Sequence, residues 1–184
     1  ARWNDGSGTD AGHVRVYQNI GNSWVQLGQD IDGENTDDFS GHSLAINGEG
    51  DRVAIGAYGN DDNGANAGHV RVYEYNDSAW IQLGQDIDGE LANDFKGFQV
   101  DINQIGDKIV VGSYGNDDNG INSGKTQVYY FDGNSWIQFG SNIYGANPND
   151  ASGKSVQISG LSNIIAIGAP FNAYNGANSG QVRV

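Results

Sequence analysis

The chain has 184 residues, enough to bury a core as one ordinary domain, and its 23 acidic residues against 9 Lys and Arg give a formal net charge of −14. This charge excludes nucleic acid as a partner, because few cations are available to neutralise phosphates, and it disfavours docking on an anionic membrane surface. The absence of cysteine excludes disulfides and thiolate metal sites, and no apolar run is long enough for direct membrane insertion as a helix.

The sequence repeats with a constant period. The motif Gly-His-Val-Arg-Val-Tyr begins at Gly12 and returns at Gly68, a step of 68 − 12 = 56 residues, and related motifs begin at Gly124 and Gly180. A fixed period of this length predicts a repeat architecture in which each copy buries its apolar face against its neighbours. The predicted boundaries are a partial repeat at 1–11, full repeats at 12–67, 68–123 and 124–179, and the start of another at 180–184.

Each unit is predicted to contain four short strands and no helix. In the clearest copy, residues 97–102 alternate apolar and polar side chains and residues 108–112 form a β-branched run. Residues 126–131 and 136–139 are the third and fourth strands, and Asp132-Gly133-Asn134 is a hairpin turn between them. Four antiparallel strands per unit are typical of a β-propeller blade. We therefore predict an all-β fold of such blades, about three 56-residue repeats plus partial blades at both ends.

Three motifs in register resemble the FG-GAP repeat of integrin alpha-subunit propellers. They are Phe39-Ser40-Gly41, residues 52–57 and residues 68–73, and a literal Gly168-Ala169-Pro170 follows in the third copy. The resemblance covers essentially the whole chain and implies a non-enzymatic, extracellular or cell-surface scaffold for adhesion or protein–protein interaction. The family's acidic calcium hairpin between the first two strands is replaced here by residues 47–51, which supply too few carboxylates for that site.

The two ends of the chain fall in the same part of the repeat. Residues 1–11 align with the loop before a third strand, and residues 180–184 form another third strand. Ordinary propellers close with about four to eight blades, more than three repeats provide. We expect a segment of a longer propeller chain, and a ring of several chains is the alternative.

The loop after the second strand is the first candidate ligand site. Two repeats place four Asn and Asp side chains in succession before a glycine: Asn60, Asp61, Asp62 and Asn63, and then Asn116, Asp117, Asp118 and Asn119. Calcium takes about six to eight hard oxygen ligands, so these loops predict calcium as the one cofactor. The alternative is a turn in which Asn and Asp bind their own backbone. The third repeat keeps Asn172 and Asn175 but loses both acids, so only the turn skeleton is constant.

A second acidic stretch joins each unit to the next. Its carboxylates are Asp30, Asp32 and Glu34 in one copy, and Asp86, Asp88 and Glu90 in the following copy. They are candidates for a metal site or a general acid–base pair, and the alternative is a solvated charged loop. The third copy has Asn142, Tyr144 and Ala146 at these positions, which disfavours an obligatory role.

The histidines do not indicate catalysis. His13 and His69 occupy one repeat position, which Lys125 and Gln181 fill in the later copies. A catalytic base at this position is therefore not expected. Near-equivalent repeats also offer no asymmetric set of acid, base and nucleophile, so the chain is predicted not to be an enzyme.

One tryptophan recurs in every repeat, as Trp24, Trp80 and Trp136. These rings are candidates for stacking on sugars, and the alternative is that they pack between blades. The expected partners are accordingly a protein or a glycan at the loop faces, or further copies and blades of the same kind. Two alternative functions stay open beside the scaffold: a subunit of an extracellular filament or sheath assembled head-to-tail, and a glycan-binding propeller lectin.

Overall fold

A computed structural model describes residues 1–184 and contains β-strands and no helix, which confirms the predicted all-β class. The strands are β1 (His13–Val14), β2 (Tyr17–Ile20), β3 (Ser23–Gln26), β4 (Ile31–Asp32), β5 (Ser43–Ile46), β6 (Arg52–Ala57), β7 (His69–Tyr75), β8 (Trp80–Gln82), β9 (Ile87–Asp88), β10 (Lys96–Ile102), β11 (Lys108–Ser113), β12 (Lys125–Phe131), β13 (Trp136–Gln138), β14 (Ile143–Tyr144), β15 (Ser155–Ile158), β16 (Ile165–Ala169) and β17 (Gln181–Arg183).

The strands form two full antiparallel sheets flanked by smaller ones. Sheet 1 has the order β5-β6-β7-β8, with β9 also paired to β7, and sheet 2 repeats this plan as β10-β11-β12-β13 with β14 paired to β12. Sheet 3 is β15-β16-β17. Two strand pairs precede sheet 1, β1 with β4 and β2 with β3, and we call them the N-terminal pairs. The sheets therefore follow one another in the order of the sequence repeat.

The two full sheets have the same register. Gly56 opposes Val70 in sheet 1, and Gly112 opposes Thr126 in sheet 2, so both partners advance by one period. The four strands predicted for residues 97–139 are all present, with ends shifted by one residue. The three copies of the acidic stretch, expected to be a loop, instead form the short strands β4, β9 and β14. Two residues are too few to leave a periodic signal in the sequence.

The predicted hairpin turn is confirmed between β12 and β13. Gly133 has a φ of 101°, in the left-handed region that favours glycine. The Asp132 carboxylate accepts hydrogen bonds from the backbone N–H of Asn134 at 2.9 Å and of Ser135 at 2.8 Å. This turn sets the register that places Trp136 opposite Phe131.

Alternate residues of each second strand face opposite neighbours. Val53 and Ile55 of β6 pack toward the N-terminal pairs, whereas Ala54 between them packs toward sheet 2. Likewise Val110 of β11 packs against sheet 3, in the cluster that contains Val156. Because side chains alternate along a strand, each full sheet contributes apolar residues to both interfaces. The stacked sheets thus share a series of apolar layers.

The innermost strands approach each other at glycines. A Cβ atom on Gly56 would overlap the carbonyl oxygen of Gly97, and one on Gly112 would overlap that of Gly153. The glycine of the repeated Ile-Gly or Val-Gly motif therefore has a packing role, since it lets the backbone of the next sheet come close.

The described sheets form an open row. Packing contacts join neighbouring sheets, such as β10 with β6 and with β15, and no closed ring is present. None of the elements is a helix long and apolar enough to cross a membrane.

Candidate functional site

The oxygen-rich loops are held by their own side chains. Asn60 is buried, and its Nδ2 donates to Asp38 Oδ1 at 3.3 Å, while its Oδ1 accepts from the backbone N–H of Asp62 at 3.1 Å. Asn116 makes the matching contact to Asp94, and Asn172 makes it to Asp150. The asparagine therefore links each loop to the segment that enters the sheet, which explains why it persists where the acids are lost.

The neighbouring side chains of these loops also bind backbone groups. Asp61 Oδ1 accepts from the backbone N–H of Asn66 at 2.7 Å, and Asn63 Nδ2 donates to the carbonyl of Gly89 at 3.1 Å. Asp117 and Asn119 repeat both bonds in the next loop. These contacts match the capped-turn alternative, and calcium binding at the loops stays a prediction.

Two of the three repeated tryptophans lie in the interfaces between sheets. Trp80 is 2% exposed and its indole N–H donates to the carbonyl of Leu27 at 2.8 Å, and Trp136 is 3% exposed and donates to Leu83 at 2.8 Å. Gln29 donates a hydrogen bond from Nε2 to the carbonyl of Trp80 and accepts one at Oε1 from the backbone N–H of Trp80. Neither ring has a free face for a sugar, so the stacking expectation does not hold at these two positions.

The third ring, Trp24, is 71% exposed. It occupies the repeat position of Trp80 and Trp136, but no Leu-Gly-Gln segment of a preceding sheet lies against it. Sugar stacking stays a prediction for this residue alone. Trp24 therefore exposes the same indole side chain that Trp80 and Trp136 bury in the interfaces between sheets.

The first residue of the third strand defines a polar cluster in sheet 2. Lys125, at the start of β12, is 1% exposed, and its Nζ lies 3.0 Å from Glu90 Oε2 and 3.2 Å from Asp118 Oδ2. Gln127 Nε2 donates to the other Glu90 oxygen, Oε1, at 3.2 Å. Although burial opposes the shift, the hydrogen bond and charge of Lys125 lower the pKa of Glu90 below its ordinary value. We call this group the Lys125 cluster.

The equivalent position of sheet 1 holds His69, which is 1% exposed. Its Nδ1 lies 3.9 Å from Asp86 Oδ2 and has no hydrogen-bond partner. Glu34 completes the group, and the ligand atoms of the three residues lie within 4.8 Å of one another. Arg71 contacts Glu34 Oε1 at 3.1 Å. We call Glu34, His69 and Asp86 the His69 cluster.

The pKa shifts differ between the two clusters. Burial raises the pKa of Glu34 against the opposing charge of Arg71, and the nearby carboxylates Asp86, Asp62 and Asp38 raise it further. Burial and then the charge of Arg71 lower the pKa of His69 to about 4, so its imidazole is neutral at pH 7. The His69 cluster therefore has excess carboxylate charge where the Lys125 cluster has an ammonium.

A third group, His13, Asp30 and Asp32, lies in the N-terminal pairs. Here Asp30 is already engaged, because Arg15 donates to both its oxygens at 2.7–3.0 Å. No catalytic base was expected at the histidine position, since the residue varies between copies. The signal that could have found the clusters was the joint change of His69 to Lys125 and Asp86 to Asn142.

A family model described as the FG-GAP repeat matches residues 30–73. The matched stretch runs from the acidic segment before β4 through most of β7, and over these residues the match supports the resemblance predicted from the sequence. No curated protein compared with the chain matches it.

Proposed function

Because residues 30–73 are an FG-GAP repeat, we propose that the chain is a non-enzymatic β-propeller scaffold that engages other proteins outside the cell. Repeats of this kind are typical of extracellular proteins and generally serve as scaffolds without enzymatic activity. In this proposal each described sheet is one blade, with β9 and β14 continuing the fourth strand along β7 and β12.

The FG-GAP match of residues 30–73 carries the proposal, and the exposed Trp24 is a candidate contact surface of the scaffold. The chain builds the same interface twice, with Trp80 and Trp136 inserted against a preceding Leu-Gly-Gln segment. Trp24 presents the same indole at the edge of the stack with its face open. Large exposed aromatic side chains are characteristic of binding surfaces. The occupant that fits best is another repeat unit with a Leu-Gly-Gln segment.

The blade arrangement and the location can each be tested directly. Electron microscopy of the natural assembly should show sheets arranged radially around a channel, and a straight stack of sheets would contradict the propeller. A membrane-impermeant amine reagent should modify the protein on intact cells. Modification only after lysis would rule out the extracellular location.

Head-to-tail assembly is the second candidate, supported by the opposite edge of the chain. Phe139-Gly140-Ser141 follows β13 at the position of Leu83-Gly84-Gln85, and Phe139 is exposed. It can receive a tryptophan from a second copy. Serine cannot form the two hydrogen bonds that Gln85 makes to the backbone of Trp136, so this contact is weaker than the internal ones.

Sedimentation velocity over a concentration series tests the assembly. The wild-type chain should associate as concentration rises, and Trp24→Ala should reduce this association. Tyr174→Ala is the control, because it removes another highly exposed aromatic ring in a different loop. Association that is equal in all three proteins, or a single sharp monomer throughout, would eliminate the filament candidate.

Calcium at the loops and glycan binding are separate proposals for the same scaffold. A site that binds calcium only in the folded state must raise the melting temperature as calcium increases. The replacement of Asp61 and Asp117 by Asn should then remove the shift. A glycan site at Trp24 predicts that Trp24→Ala loses glycan-array binding while Tyr174→Ala retains it.

A further inference from the structure

We propose that Glu34, His69 and Asp86 bind one divalent transition-metal ion, for which zinc is the reference. The three residues come from three segments: Glu34 follows β4, His69 begins β7, and Asp86 precedes β9. Their ligand atoms lie within 4.8 Å of one another, a separation that small side-chain movements bring to coordination distance. This site is independent of the scaffold role proposed above.

The state of His69 is the first observation that points to a ligand. Its side chain is 1% exposed, yet Nδ1 has no hydrogen-bond partner and faces Asp86 Oδ2 at 3.9 Å. An unpaired buried polar atom is costly, and such atoms are ordinarily satisfied by a partner in the native state. An imidazole nitrogen without a hydrogen-bond partner is free to coordinate a metal ion.

Sheet 2 supplies the second observation, because a cation already fills the equivalent space there. The Lys125 ammonium contacts Glu90 Oε2 at 3.0 Å, while Gln127 binds Glu90 Oε1. In sheet 1, Arg71 contacts the corresponding oxygen of Glu34, Oε1, at 3.1 Å. By the repeat relation, Glu34 Oε2 is the oxygen left for a cation at the place of the ammonium.

Both carboxylates of the site are already oriented by second contacts. Arg71 fixes Glu34, and Gln82 donates a short hydrogen bond from Nε2 to Asp86 Oδ1, which leaves Oδ2 on the side of His69. Outer contacts of this kind are typical of metal sites, where they aim the ligands and limit their freedom. Arg71 and Gln82 are thus positioning residues for the proposed ligands.

The charge balance favours a divalent ion. Glu34, Asp86 and the nearby Asp62 are opposed by Arg71 alone, and the charge of Asp62 acts on both Glu34 and His69. Two negative charges therefore lack a counter-charge beside a neutral histidine. Asp118, the counterpart of Asp62, contacts Lys125 at 3.2 Å, so Asp62 is placed to serve as a further ligand.

The donor set selects the class of metal. One imidazole with two or three carboxylates suits zinc and its neighbours in the first transition row. Calcium prefers six to eight oxygen ligands and is not suited to a buried imidazole. The proposed site is therefore distinct in chemistry from the calcium expected at the loops.

The chain provides its own matched controls. Gln181 and Lys125 occupy the position of His69 in other repeats, so His69→Gln and His69→Lys introduce residues that this backbone already accommodates. His13→Gln makes the same change in the cluster where Arg15 engages both oxygens of Asp30. The contrast between positions 69 and 13 separates a specific site from general attraction to an acidic protein.

Isothermal titration of the whole chain with zinc is the decisive experiment. Wild type should bind one zinc per chain, His13→Gln should bind with unchanged affinity, and His69→Gln should bind about 100-fold more weakly or not at all. Zinc at 100 times its dissociation constant should raise the melting temperature of the wild type by about 5–10 °C. It should leave His69→Lys unchanged.

Two further readouts complete the test. The His69 Nδ1 resonance should shift on zinc addition in histidine-selective nitrogen NMR, and millimolar calcium should not displace the zinc. The proposal is overturned if the wild type binds no zinc at millimolar concentration, or if His69→Gln binds as the wild type does. Loss of binding in His13→Gln, or displacement of zinc by calcium, would equally reject it.

Discussion

The His69 and Lys125 clusters occupy the same place on two copies of one sheet, but they differ in the group that faces their carboxylates. In sheet 2 an ammonium lies between Glu90 and Asp118, and neutral Asn142 replaces the third acid. In sheet 1 this third acid is present as Asp86, and the neutral His69 occupies the position of the lysine. The backbone register is identical, so the difference lies in the side chains alone.

The copies of the repeat can therefore be compared as natural variants of one another. The sheet-2 copy contains its own counter-ion, whereas the sheet-1 copy lacks one and carries a metal-ligating imidazole instead. Substitutions that vary together between copies can thus indicate a site even where no single position is constant.

The apolar interfaces of the two sheets should be energetically equal. Trp80→Ala and Trp136→Ala each remove a buried indole and its hydrogen bond, so each should lower the free energy of unfolding by about 3–5 kcal/mol. Trp24→Ala, at the exposed copy of the position, should change it by less than about 0.5 kcal/mol. Urea unfolding measures all three, and a clear inequality between Trp80 and Trp136 would show that the sheets differ beyond their clusters.

Removal of the internal cation should destabilise sheet 2. Lys125→Met leaves Glu90 and Asp118 without their counter-charge, and we expect a loss of about 2–3 kcal/mol. This is below the cost for fully buried pairs, because both carboxylates are partly exposed. Lys108→Met, which breaks a 3.6 Å surface pair with Asp107, is the control and should cost less than about 0.5 kcal/mol in urea unfolding. Equal costs would contradict a special role for Lys125.

The stability of the chain should depend on pH through Lys96, which interacts with Glu90 and Lys125 of the Lys125 cluster. Its Nζ donates to the carbonyl of Asp88 at 2.9 Å and to the hydroxyl of Tyr129 at 2.8 Å. Burial lowers the pKa of Lys96 from 10.5 to about 8. Above pH 8 the unfolded chain keeps a proton that the folded chain has lost, so the free energy of unfolding should rise with pH.

This gain should reach about 2 kcal/mol between pH 8 and pH 10. Below pH 8 the cost of the buried charge is fully present, and above pH 10 the raised pKa of Tyr129, caused by burial, acts in the opposite direction. Urea unfolding at a series of pH values measures the slope. Lys96→Met should flatten it, and a slope unchanged in this variant would assign the effect to other groups.

Transfer of the lysine into sheet 1 should have the smallest effect. In metal-free protein, His69→Lys places an ammonium among Glu34, Asp62 and Asp86, which should raise the free energy of unfolding by about 1 kcal/mol. Lys125→His makes the reverse change and should lower it, because a neutral imidazole cannot neutralise Glu90. If both exchanges destabilise the chain equally, an ammonium is not favourable at position 69 and the two clusters are not electrostatically equivalent.

Much of the architecture was predictable from local patterns. The four strands of the unit and the hairpin at Asp132-Gly133-Asn134 depend on neighbours within a few residues, whereas the constant asparagine of the loops also bonds to an aspartate 22 positions earlier. The burial of Trp80 and Trp136 was one of two stated alternatives, because an aromatic strand position alone does not say whether a neighbouring sheet covers it. The strands β4, β9 and β14 were missed, since two residues carry no periodicity.

By itself the sequence determined the repeat, the strand plan and the turn skeleton, because these arise from side-chain alternation and local backbone preferences. The clusters were decided only by the tertiary structure. Glu34 and His69 lie 69 − 34 = 35 positions apart, as do Glu90 and Lys125, and each pair meets because one unit stacks on the next. The same stacking buries Trp80 and leaves Trp24 exposed. Burial and charge pairing depend on which units lie side by side, and that information is absent from any one stretch of the chain.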